Sequence, residues 1–295
     1  MGINIEILEE KIKLLLKHAI KRSVTLIPND IQNFFEELEK QETNEISKNQ
    51  INLILENFKY GKEKSIPLCQ DPGILNFYIK LGNQFPIISN YSDIINEAVK
   101  EVTDDIPLRS NSVDPITNKN SGTNTGLNSP PITLEIVDNS SDLEISILPK
   151  GGGAENMSKL FMLNPIDGLE KLPRIIKDLV KEAGGKPCPP IILGIGLGGD
   201  ASNSMKLAKK ALLRPIGSRN ERSDAAELEV KILNLLNELD IGIMGLGGKT
   251  TCIDVHIELA MRHPASFPVG VILQCYCHRI ASFKINEKGE ILNEI

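Results

Sequence analysis

A chain of 295 residues, 41% hydrophobic and 24% charged, is long enough for two compact domains or one large two-lobed body with a buried core. Its net charge of −6 provides no basic excess to neutralise phosphates, which excludes a nucleic-acid binder of the usual electrostatic kind. No apolar run approaches the roughly 20 residues of a spanning helix, and the first 22 residues lack a secretory signal pattern, so a cytoplasmic chain is expected.

From Ile5 to about Lys62 the periodicity is helical, with Leu8, Ile12, Leu15 and Leu16 on one face and Ile31, Phe34, Phe35 and Leu38 on another. Pro28-Asn29-Asp30 reads as a turn and helix start, with Asp30 the expected N-cap. A strand is expected over Ile74–Leu81 and a helix over Ile94–Val102. A polar loop over Ser110–Pro131, too rich in Asn, Ser, Thr and Gly to pack, follows. Strands are then expected at Thr133–Val137 and Leu143–Leu148.

Beyond Lys150 helix and strand alternate. Helices are expected at Ile166–Ala183, Ser204–Leu213, Ala225–Leu239 and Ile253–Arg262. The intervening strands are Pro190–Leu197, Ile241–Leu246 and Val269–Cys275. A short polar strand-and-turn segment follows from Ser282. The fold class is mixed α/β: an N-terminal helical region over residues 1–62, then an α/β body over 63–295, one continuous domain with two lobes.

Two glycine clusters suggest nucleotide sites, and both fail on spacing. Gly194-Ile195-Gly196-Leu197-Gly198-Gly199 lacks the second strand with a terminal acidic residue about 20 positions on. Gly248-Lys249-Thr250 lacks the P-loop's earlier glycine, because Ile243 stands there. Two readings remain open for these clusters. Glycine either lets backbone pass close to backbone, or lets it approach a small ligand.

Five cysteines in such a chain do not form a disulfide framework. Cys252 sits inside an apolar element and reads as a buried thiol. Cys69, Cys188 and Cys275 stand instead at element ends and proline turns, as ligands presented from loops would. No Cys-x-x-Cys pair exists to suggest a zinc ribbon, and composition by itself favours buried thiols over a metal site.

Several motifs stand in order along the chain: Cys69-Gln70-Asp71, Lys150-Gly151-Gly152-Gly153-Ala154-Glu155-Asn156, Cys188-Pro189-Pro190 and the glycine run after it. Gly245–Thr251, Asp254-Val255-His256, His263-Pro264-Ala265-Ser266 and Gln274-Cys275 follow. In these motifs and their order, across nearly its whole length, the chain resembles the class I fumarate hydratases, a family that includes the alpha subunits of L-tartrate dehydratases. The resemblance implies a hydro-lyase that reversibly hydrates fumarate, or an L-tartrate dehydratase as the alternative. It also implies a [4Fe–4S] cluster held by Cys69, Cys188 and Cys275. Asp71 and His263 are implied as catalytic; Gln70, Asp71, Arg109, Gly152 and His263 are implied as substrate-binding.

A separate beta subunit is the implied partner, since the chain ends soon after the last motif and outside Arg109 no clear second carboxylate clamp appears. Lys249 and Arg279 are the alternative within this chain. The chain departs from the family at Pro72, where Thr is frequent, at Ala154, where Ser is frequent, and at Tyr276-Cys277, where His-Ala is usual. Cys277 is expected on the same strand face as Cys275, to compete for iron or to tune the cluster from outside. The rivals from other classes are a non-catalytic metal-binding or scaffold subunit and a nicotinamide-dependent oxidoreductase.

Overall fold

A computed structural model of the chain describes residues 4–88 and 90–294. It divides into two compact units, the first comprising Met1–Pro28, Asn57–Lys150 and Arg279–Ile295, the second Asn29–Glu56 and Gly151–His278.

The first unit is a sheet with helices on one face. Its strands β1 (Ile74–Gly82), β2 (Ile132–Val137), β3 (Leu143–Lys150), β8 (Ala281–Ile285) and β9 (Ile291–Glu294) run in the order β2-β1-β3-β8-β9. Only the β1–β2 pair is parallel. Period-2 alternation decides what each strand buries: Leu75, Phe77 and Ile79 of β1 and Leu143, Ile145 and Ile147 of β3 enter one core. Helix α1 (Ile5–Thr25) covers that core with Leu8, Ile12, Leu15, Leu16 and Ile20. Helix α4 (Tyr91–Asp105) adds Ile95, Val99 and Val102. Both helices have an Asn N-cap, Asn4 accepting from the Glu6 amide and Asn90 from the Asp93 amide.

The second unit places helices on both faces of a sheet. Strands β4 (Lys159–Leu163), β5 (Ile191–Gly199), β6 (Cys252–Arg262) and β7 (Phe267–Gln274) run in the order β4-β7-β5-β6, with β5 and β6 parallel and β7 antiparallel to β4 and β5. Helices α6 (Gly168–Ala183) and α8 (Ser223–Asn237) pack with Leu193, Ile195, Val255, Ile257, Val269 and Val271 on one face. Helix α7 (Ala201–Ala211) lies on the other face. It comes so close that a Cβ at Gly194 would stand 2.0 Å from the Ala208 carbonyl oxygen. Added Cβ atoms at Gly196 and Gly270, which are register partners, would stand 2.0 and 2.4 Å from the carbonyl oxygen of Ser204. Gly194 and Gly196 of β5 therefore serve backbone-on-backbone packing against α7.

Helices α2 (Asn29–Gln41) and α3 (Glu45–Lys64) complete the N-terminal region, and the four-residue α5 (Gly152–Glu155) follows β3. Asp30 lies inside the first turn of α2 rather than at its cap; its carboxylate accepts from the Ile31 and Ile216 amides. Three expectations need correction. Ile253–Arg262 is strand, because Val255, Ile257 and Leu259 alternate with Asp254, His256 and Glu258, a period of two rather than 3.6. Ile241–Leu246 forms no strand; a Gly242–Gly247 bridge encloses a short 3₁₀ turn, and Gly242, Met244, Gly245 and Gly247 all have positive φ. The Ser110–Pro131 loop does pack, burying Ser112, Asn124 and Thr125.

Candidate functional site

Cys69 follows the buried Leu68, whose amide donates to Val24 O at 3.0 Å and whose carbonyl accepts from Asn57 at 2.9 Å. Those two bonds hold the start of the Cys69-Gln70-Asp71 turn. Within it the Asp71 amide points at Cys69 Sγ, 3.4 Å away, and the Cys69 thiol donates weakly to Gln70 Oε1 at 3.7 Å. The Asp71 carboxylate closes the turn by accepting from the Gly73 amide at 2.9 Å. Gly73, at φ 79°, abuts β3 so tightly that a Cβ would lie 2.6 Å from Lys150 C.

Two further groups grip Asp71 that motif reading did not single out for this task. Asn111 Nδ2 donates to Asp71 Oδ1 at 2.8 Å, and the buried Arg279 donates through Nη2 to the Asp71 carbonyl at 3.3 Å. Arg109 lies two residues before Asn111, with its side chain exposed, so the first unit gathers Cys69, Gln70, Asp71 and the Arg109 segment. Nothing in local spacing marks Asn111, since its partner lies 40 positions away. Arg279, seen only as an alternative carboxylate clamp, is 1% exposed and braces the turn.

The second unit brings Cys188 and Cys275 together. Cys188 sits at the entry to β5 with φ 54°, in the left-handed region that few side chains other than Asn and Asp adopt readily. Its neighbours impose that conformation. The Cys188 amide donates to Gly185 O at 3.0 Å, Met244 N–H donates to Pro189 O at 2.7 Å, and Tyr276 N–H donates to Cys188 O at 3.1 Å. Gly245 closes the same loop: its Cβ would stand 2.6 Å from Gly185 Cα. Gly152, at the start of α5, is one residue from Gly153, where a Cβ would come within 2.9 Å of Lys186 O. Gly152, Cys188 and Cys275 therefore share one end of the four-stranded sheet.

His263 does not join them. It follows β6 at the opposite end, where Arg262 pairs with Gly199, while Gln274 pairs with Ile192 at the cysteine end. Seven strand residues at about 3.3 Å put roughly 23 Å between the two ends. His263 is exposed, and its Nδ1 accepts from the Ala265 amide at 3.1 Å, which places the ring proton on Nε2.

Cys275 lies just past β7, so strand alternation does not relate it to Cys277. Cys277 is 1% exposed whereas Cys275 is half-buried, and the two thiols occupy different environments. Cys252 is 1% exposed, with its thiol 3.2 Å from Asp254 O; burial, reinforced by the Asp254 charge, pushes that thiol well above its usual range.

Among the described residues no group of three or more His, Cys, Asp or Glu is arranged to hold a single metal ion. An iron–sulfur cluster makes a different demand, because each thiolate binds its own iron and the sulfurs need not converge on one point. Three thiols are donors of the chemistry such a cluster takes. Cys69, Cys188 and Cys275 are half-buried, unlike the buried Cys252 and Cys277, and Cys69 Sγ already faces a backbone N–H of the kind that steadies a ligating thiolate.

Beside Cys252 runs a buried polar network. Asp254, 1% exposed, takes Arg219 Nη1 at 2.7 Å, the Gly217 amide at 2.6 Å and His256 Nε2 at 3.1 Å. Glu229 takes Arg214 Nη1 at 2.8 Å and the Ile257 amide at 2.8 Å. These side chains satisfy β6 at the edge of its sheet and anchor the loop after α7. No helix among the described residues is long and apolar enough to cross a membrane.

The chain is similar to known proteins over nearly its whole length. A family model described as fumarate hydratase (Fumerase) matches residues 13–284. A protein of Methanocaldococcus jannaschii, named provisionally as the alpha subunit of an L(+)-tartrate dehydratase, is 46% identical over 93% of this chain and 98% of its own. The L(+)-tartrate dehydratase subunit alpha of Escherichia coli K12 is 34% identical over 86% of this chain and 84% of its own.

Proposed function

Because this chain belongs to the fumarate hydratase (Fumerase) family and is therefore a hydro-lyase, we propose that it is the alpha subunit of an enzyme that adds or removes water on a four-carbon dicarboxylate. The observation that carries this reading is the match to tartrate dehydratase alpha subunits over about the full length of the chain, with Cys69, Cys188 and Cys275 on braced loops. L(+)-tartrate is the substrate its relatives' names favour. Fumarate is the second reading, favoured by the description of the family model.

Cys69, Cys188 and Cys275 would hold a [4Fe–4S] cluster. When bound, such a cluster with three protein thiolates supplies an open iron position, a Lewis acid toward a substrate hydroxyl. The remaining chemistry belongs to side chains. Arg109 binds one substrate carboxylate with its planar guanidinium. Gln70 and the Gly152 backbone N–H orient the substrate. Asp71, with Oδ1 occupied by Asn111 and Gly73, moves the proton at the substrate hydroxyl oxygen through its carboxylate. His263 lies too far along its own sheet to serve the same site as Cys188 and Cys275, and no step is assigned to it here. A beta subunit supplies a second carboxylate clamp and excludes bulk water.

The test is anaerobic reconstitution with iron and sulfide, followed by assays of tartrate dehydration and fumarate hydration with and without the beta subunit. A broad visible absorbance and partner-dependent turnover on one substrate are expected. A reconstituted complex that turns over neither substrate overturns the reading. Turnover by the lone chain at an ordinary rate of about 1–1,000 per second defeats the two-subunit part.

A further inference from the structure

Asn124 is a buried residue of the polar loop. It is 8% exposed, and its backbone is left-handed at φ 57°. Its amide makes three contacts, all within the first unit. Oδ1 accepts the Asn111 backbone N–H at 2.6 Å, and Nδ2 donates to the Arg109 carbonyl at 3.3 Å and to Thr103 Oγ1 at 3.2 Å. Thr103 in turn donates to Val99 O at 2.7 Å inside α4.

The two backbone atoms held by Asn124 flank Ser110. One planar amide thus sets the conformation of residues 109–111 and ties them to the end of a helix. A second asparagine reinforces this, since Asn120 exchanges side-chain bonds with Ser110 Oγ at 2.6 Å and Ser110 O at 3.0 Å. The braced segment carries two groups at once. Asn111 extends its side chain to Asp71 Oδ1, and Arg109 projects an exposed guanidinium whose root is the part the fold controls.

We propose that Asn124 is a positioning residue for substrate: it holds Arg109 and, through Asn111, Asp71 in the geometry that reads the dicarboxylate. This rests on the hydro-lyase reading above and identifies what sets its carboxylate specificity. A loop that merely needed a tight turn would be served by glycine. The amide with three partners is what a positioning role requires.

Two variants test it in the assembled, cluster-loaded enzyme. Asn124→Asp keeps the size and the acceptor for Asn111 but removes both Nδ2 donations and sets an oxygen against the Arg109 carbonyl. Asn124→Gly keeps the left-handed backbone and removes all three bonds. Binding of succinate and of butyrate is measured by calorimetry beside kcat and KM. In both variants succinate affinity is expected to fall about tenfold or more, with a matching rise in KM. Butyrate affinity is expected to stay unchanged, so the preference for the second carboxylate shrinks. Equal losses for both ligands, or no loss in either variant, overturn the inference while leaving an active wild type as a hydro-lyase. A wild type that neither binds succinate nor turns over a dicarboxylate removes the hydro-lyase reading, and this inference with it.

Discussion

The backbone N–H of Tyr276 donates to the carbonyl oxygen of Cys188 at 3.1 Å, so the residue after Cys275 is locked to a cysteine at the far side of β5 in sequence. Neither cysteine lies in a regular element. Each stands one to three residues outside a strand whose partner is the other's strand, and the β5–β7 pairing fixes their common end.

From that pairing, Cys188→Ser and Cys275→Ser are each expected to abolish cluster binding, as is Cys69→Ser. Cys252→Ser should retain it. Iron and sulfide counts on the purified variants decide the matter; full iron in any of the first three removes that residue as a ligand. In the native cluster-free chain, an alkylating reagent should modify the half-buried Cys69, Cys188 and Cys275 and spare Cys252, whose buried thiol resists ionisation.

Exposure to air should inactivate the reconstituted enzyme, since an iron open to substrate is open to oxidants too. Activity is measured before exposure, after it, and after ferrous iron and a thiol are added back. Activity that survives air intact argues against an open cluster.

Gly194 has no room for a methyl group, because its Cβ would lie 2.0 Å from the Ala208 carbonyl oxygen. Gly194→Ala is expected to cost about 3 kcal/mol or more, as α7 must lift from the sheet. Gly126, with nothing within 4 Å of its added Cβ, is the control. Gly126→Ala should change stability by less than about 1 kcal/mol. Urea midpoints of the two variants provide the comparison, and similar midpoints would refute the packing role.

Asp254 supplies a pH signature. Burial by itself would raise its carboxyl, but the hydrogen bond and charge of His256, with the Gly217 and Val255 amides, outweigh burial and hold it below the usual range. A carboxyl depressed on folding stabilises the native state fully above the unfolded value of about 3.9 and loses that contribution as pH falls through the folded value. Asp254→Asn should therefore destabilise the chain by about 1–3 kcal/mol near neutrality. The gap from wild type should narrow as the medium is taken down to about pH 3. A gap that stays constant across that range would show that Asp254 acts by packing alone.

Much of the fold is legible locally. The Leu8-Ile12-Leu15-Leu16 face of α1 and the alternation of β1 follow from side-chain period, and both elements form as expected. The strand over Cys252–Arg262 was equally present as alternation, yet Asp254, His256 and Glu258 obscured it. Charged groups on an inward face look like a solvated helix until Arg214, Arg219 and their neighbours are folded over them.

By itself the sequence determined which chemical groups exist and in what order: three cysteines at loop edges, a carboxylate and an amide beside the first of them, an arginine before a polar loop. Those are local properties, readable because turn chemistry and thiol context depend on near neighbours. Tertiary structure alone decided which of them meet. It put Asn124 between Arg109 and Asn111, set Asn111 on Asp71, joined Cys188 to the Cys275 segment and carried His263 to the other end of the sheet. Such contacts join residues far apart in the chain, and strand register and loop closure set their geometry rather than any local preference.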